Sequence, residues 1–162
     1  MSTLIQISNP QNPIVLTMDG NPVAGTIAET DCSIIRVDPG QLNSRDMFTT
    51  LAKHNIIATT GTSIYRLYYN NVPTFVGGSL IATSSALTPG LNSGSFSRFF
   101  TISGTNIIGA DPIGQVETDY NQTDDAITFI DLTNTMYFIF TIENSDVSII
   151  ADVPKFVIQI FK

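Results

Sequence analysis

Thr135-Met136-Tyr137-Phe138-Ile139-Phe140-Thr141-Ile142 is the stretch on which the fold turns. Branched and aromatic side chains fill it almost from end to end, and these suit a pleated, packed surface better than a helix. Successive side chains of a strand point to opposite faces. Met136, Phe138, Phe140 and Ile142 therefore share one side, and Tyr137, Ile139 and Thr141 the other. A sheet in a two-layer sandwich is covered on one face only, so something else must lie over the second face. A second copy of the chain is the expected cover, because the rest of the sequence offers only one short helix as a lid.

On either side of this segment, short apolar runs alternate with turn residues, the spacing of a sandwich or barrel. Such runs lie at 3–7, 14–18, 32–37, 56–60, 63–69, 74–83, 96–103, 126–132, 147–151 and 156–161, with a short edge strand at 106–108. Asp19-Gly20-Asn21-Pro22 is a strong turn and predicts that 23–28 returns as the hairpin partner of 14–18. The Gly77-Gly78 pair inside 74–83 predicts a bulge or a close backbone approach. The predicted architecture is all-β: an antiparallel two-sheet β-sandwich of jelly-roll type, a single domain over 1–162.

One helix is predicted near residues 44–54. Ser44 suits an N-cap, Asp46 the first turn, and Met47, Phe48, Leu51 and Ala52 recur at helical spacing, with Lys53 and His54 closing the last turn.

Charged residues are only 13% of the 162-residue chain, against about 25% in ordinary globular proteins. The net charge is −7, and residues 99–154 hold nine acids and no base. A nucleic-acid partner needs a basic stripe that this chain lacks, and an acidic membrane surface is disfavoured on the same ground. The first residues show no basic, apolar leader, and nowhere do about 18 apolar residues run together. The expected location is cytoplasmic or within a virion-like particle.

Chemistry is scarce. Cys32 and His54 each stand alone of their kind, so zinc ligation is unsupported and a nucleophile–base dyad would rest on that one pair. Glycine-rich phosphate loops are missing. Paired carboxylates exist, but no tryptophan accompanies them as a sugar platform. No enzyme is expected. Asp119, Asn121, Asp124 and Asp125 supply oxygen ligands of the kind calcium takes, without the spacing of an EF-hand. Tyr65, Arg66, Tyr68 and Tyr69 form an aromatic, basic strand of the composition found at interaction hot spots. Its alternating faces group Tyr65, Leu67 and Tyr69 against Ile64, Arg66 and Tyr68. The Ser/Gly/Pro-rich segment 84–95, with Leu87 and Leu91, is the expected contact loop.

Hydrophobic strands, a weakly charged Thr/Ser/Asn surface and the lack of catalytic groups favour a structural or assembly subunit, packing on itself or other proteins as a capsid-type component does. A carbohydrate- or calcium-binding module is the alternative.

Overall fold

The computed structural model describes residues 13–88, 93–110 and 127–162. These form ten strands and no helix. The strands are β1 (Ile14–Met18), β2 (Thr30–Val37), β3 (Met47–Ile57), β4 (Ser63–Asn70), β5 (Ser79–Thr83), β6 (Ser93–Ser103), β7 (Asn106–Ala110), β8 (Ile127–Phe129), β9 (Met136–Asn144) and β10 (Ile150–Phe161). Two antiparallel sheets pack face to face: six strands in the order β1-β10-β3-β6-β7-β8, and four in the order β2-β9-β4-β5.

The pairing is nested. β4 pairs with β5, β3 with β6, β2 with β9 and β1 with β10, so the chain behaves as one long folded ribbon whose successive pairs alternate between the sheets. Contacts of β10 with β3 and of β9 with β4 seal the wraps together. The β7–β8 hairpin widens one sheet beyond β6.

Alternation puts Phe48, Ala52, Ile56, Phe96, Phe100, Phe156 and Ile158 of the larger sheet against Tyr65, Leu67, Phe138, Phe140 and Ile142 of the smaller, all buried. Aromatic rings dominate this interior. Phe48 stacks on Phe100 with centroids 4.8 Å apart, and Phe140 meets Phe156 at 5.3 Å. Arg98 is also buried on the inward side, between Phe96 and Phe100 on its own strand and opposite Thr50 of β3.

Several sequence expectations need correction. The helix at 44–54 is instead the start of β3, whose burial alternates residue by residue: Phe48, Thr50, Ala52, His54 and Ile56 face inward, whereas Met47, Leu51 and Lys53 face out. Sheet partners on both edges, β10 and β6, override a marginal local preference for helix. Residues 23–28 form no strand. Val23 alone bridges to Ala151, and the true partner of β1 is β10. The runs at 147–151 and 156–161 meet in one strand, β10, because Pro154 sits in a bulge where no ladder N–H is needed. β7 is flanked by β8 and is not an edge. Residues 71–78 are turns preceding β5, and Gly78 lies where a Cβ would meet the Phe75 and Tyr69 carbonyl oxygens at 3.0 Å, the close approach expected there.

Both faces of β9 are buried, as its composition requires. Ile139, on the outward side, is fully covered. The cover comes from the same chain. Phe75 rests on Tyr68 of β4 with centroids 5.6 Å apart, and its backbone lies near the Asp31 carboxyl of β2, opposing the rise that burial gives that group's pKa. Because β9 lies between β2 and β4, a loop touching both must cross it. The second copy invoked for this face is therefore not needed here. Truncating the clasp, Phe75→Ala, is expected to lose about 2 kcal/mol of stability by uncovering Ile139 and Tyr68. A lower urea midpoint with increased binding of a hydrophobic dye checks this.

Candidate interaction surfaces

The tyrosine strand β4 divides as its alternation predicts, and the division removes two of its tyrosines from any surface. Tyr65 is fully buried, its ring against Phe96 at 5.1 Å and His54 at 5.4 Å, and its hydroxyl donates to the Asn55 carbonyl at 3.4 Å. Tyr69 is buried too. Its hydroxyl donates to Asn71 Oδ1 at 3.0 Å and accepts from the Asp131 N–H at 2.9 Å, pinning the turn before β9. Both are core residues rather than contact residues, since their phenyl bodies fill the space between the sheets.

Arg66 and Tyr68 do face outward, on the four-stranded sheet. The Arg66 guanidinium lies 2.6 Å from Glu143 and 3.2 Å from Glu29. Glu29 also accepts from the Thr141 hydroxyl and lies near the Tyr68 phenol. Burial, reinforced by the Glu29 charge, pushes the Tyr68 phenol up to about 12. Burial likewise raises the Asp31 carboxyl above its ordinary range. Glu29, Asp31 and Glu143 thus gather near Arg66 on this outer face, beside residues 71–78, while Arg36, also outward, pairs with Asp38.

Leu87, expected in a contact loop, is buried. Its N–H and carbonyl both bond Ser63, each at 2.9 Å, so it extends the edge of the smaller sheet. Leu91 lies outside the described residues, as do Asp119, Asn121, Asp124 and Asp125. Cys32 donates its thiol to the Phe140 carbonyl at 3.0 Å, and burial pushes its pKa far upward. His54 is buried between Tyr65 and Phe96, and desolvation lowers its pKa to about 4. A neutral thiol and a neutral imidazole result, without the charged pair a reactive cysteine needs.

Among the described residues, shallow depressions open at two places on the surface. One, of about 320 Å3, lies at the free edge of β2 beside Met18, Asp19, Asn21, Asp31 and Ser33. The other, of about 450 Å3, lies at the β10 bulge and is lined by Lys53, His54, Asn55, Gly94, Ser95 and Pro154.

The surface that sequence reasoning missed is the outer face of the six-stranded sheet. Strand register places its residues in rows. One row runs Phe161, Met47, Thr101, Ile108; the next Val15, Gln159, Thr49, Phe99; the third Thr17, Val157, Leu51, Ser97. Phe129 extends the first end beside Asn106. None of these residues carries a charge. Val15, Met47, Leu51, Phe99 and Phe129 are each between 37% and 66% exposed. Charge lies at the opposite end, where Lys155 stands directly across from Lys53 and is paired with Asp19 at 2.7 Å. Reading 44–54 as a helix had turned Met47 and Leu51 inward; as a strand, the same residues face out.

The described residues include no group of three or more His, Cys, Asp or Glu side chains placed to hold a metal ion, and no helix long and apolar enough to cross a membrane. Comparison with protein-family models and with curated proteins finds no match to the chain. Fold and surface together define an all-β sandwich with an acid–arginine network on one outer face and three uncharged rows on the other.

Proposed function

We propose that this chain is a non-enzymatic assembly subunit, a capsid-type building block that packs through its sheet faces. The observation that carries this reading is the three uncharged rows on the outer face of the six-stranded sheet. Exposed apolar side chains grouped on one uncharged surface, here Val15, Met47, Leu51, Phe99 and Phe129 among Thr, Ser and Gln, are a feature of interaction surfaces. The nested strand pairing supports a jelly-roll form, an architecture used by capsid proteins but also by lectins and other binders. Strand order therefore says little about function, and the surface bears the weight.

The rival, a sugar-binding module, loses part of its basis because Tyr65 and Tyr69 belong to the core, while Tyr68, Phe75 and Tyr137 on the outer side of that sheet are only half-exposed. Molar mass by light scattering across a range of concentrations tests the reading. Dimers or larger species are expected. A clean monomer at high concentration that binds a sugar specifically, and loses it on Tyr68→Ala, would overturn it.

A further inference from the structure

We infer that the occupant of the six-stranded sheet's outer face is the same face of a second copy, with the two copies related by a two-fold axis that crosses the strands near Thr49. This rests on the assembly reading and adds the surface, the partner and the orientation.

Charge selects the face. With a net charge of −7, two copies repel wherever their carboxylates meet. The outer side of the smaller sheet would bury the ion-paired cluster of Glu29, Arg66 and Glu143, together with Asp31, against the same groups of the other copy, and desolvating such charges is costly. The three rows from Phe161–Ile108 to Thr17–Ser97 bring no charge at all, so self-apposition there desolvates neither an acid nor a base.

Charge also selects the orientation. Lys53 and Lys155 face each other at one end of the sheet. A two-fold axis parallel to the strands would bring both lysine pairs of the dimer together. An axis across the strands sends them to opposite ends, each lying beyond Met47 and Phe161 of the other copy, where the alkyl stems can cover apolar surface. β3 then runs antiparallel to β3 of the partner, with Leu51 near the partner's Met47. Two sheets stacked in this way sit about 10 Å apart with strands aligned to within about 30°.

Area sets the strength. Five strands about 4.8 Å apart, with three outward residues each at a spacing of about 6.8 Å, give a planar footprint of roughly 500 Å2. Side-chain relief brings the accessible area closer to the roughly 800 Å2 per partner of a standard interface, still at its lower end. The dimer is therefore weak and concentration-dependent, as suits a contact repeated within a larger assembly.

Sedimentation velocity over micromolar to millimolar concentrations, on wild type, Leu51→Glu, Leu51→Lys and the control Leu80→Glu, tests this. Leu80 is as exposed as Leu51 but stands on the smaller sheet. The expected result is self-association of wild type and Leu80→Glu with similar dissociation constants, weakening by about 100-fold in Leu51→Glu, and recovery in an equimolar mixture of Leu51→Glu with Leu51→Lys. Unchanged melting temperatures of the variants would show that folding is intact. Association of Leu51→Glu as strong as wild type would overturn the proposed face while leaving the assembly reading in place. A wild type that stays monomeric throughout would overturn both.

Discussion

Phe140→Ala is expected to destabilise the fold by about 4 kcal/mol, which would lower the melting temperature by roughly 8–16 °C in a chain of this size. Phe140 is fully buried near the middle of β9, and its ring lies 5.3 Å from Phe156 and 6.2 Å from both Tyr65 and Phe96. Truncation removes the ring's transfer energy and leaves a cavity bounded by strands of both sheets, which are too firmly paired to collapse into it. Phe140→Leu keeps most of the volume and should lose less than half as much. Urea titration of both variants decides. A loss below about 1 kcal/mol for alanine would mean that the sheets do not meet around this ring.

The second large effect is a loss of stability on acidification, centred on His54. Its imidazole is buried with Nδ1 lacking a hydrogen-bond partner, and an alanine at Gly94 would place a Cβ 2.4 Å from Nε2. Desolvation lowers its pKa from 6.5 to about 4. Below pH 6.5 the unfolded chain takes up a proton on this residue that the folded chain refuses until about pH 4. Stability therefore falls as pH drops through that window, by up to about 3 kcal/mol, and the loss levels off once the folded state is protonated too. The raised Asp31 and Asp152 carboxyls act in the opposite sense, favouring the folded state as they bind protons. Comparing wild type with His54→Phe from pH 7 to 4 isolates the histidine. The difference in unfolding free energy should change by about 3 kcal/mol in favour of the variant. Parallel profiles would show that His54 is not held neutral by the core.

The sandwich was legible where alternation was clean. Ser63–Asn70 alternates between buried and half-buried at every position, and the apolar crowding of Met136–Ile142 announced correctly that both its faces are covered. It misled about the source of the cover, because residues 71–78 look like an ordinary polar turn and only the fold brings Phe75 over β9 to Asp31. β3 was misread for a physical reason. Its inward positions include Thr50 and His54, polar residues that break the period of two, while Met47, Phe48, Leu51 and Ala52 happen to match a helix. Pro154 looked like a strand boundary until the bulge opposite His54 accommodated it.

The surfaces were less legible than the core. Tyrosine content pointed to β4 as a platform, but an aromatic ring serves a core and an interface equally well, and only pairing decides which. Arg98 is the converse. Phe96, Arg98 and Phe100 share one face by simple alternation, so its burial could have been read from the sequence. The apolar outer face needed the register of five strands, which no local pattern contains.

Hydroxyl-radical footprinting of methionine oxidation against protein concentration tests most directly whether the six-stranded face is covered in the assembled state. Met47 sits on that face, Met18 is as exposed but lies at the free edge of the sandwich, and Met136 is buried in the core. The account predicts that Met47 becomes protected as concentration rises while Met18 stays reactive and Met136 stays silent. Met47 remaining as reactive as Met18 in an associated sample would contradict it.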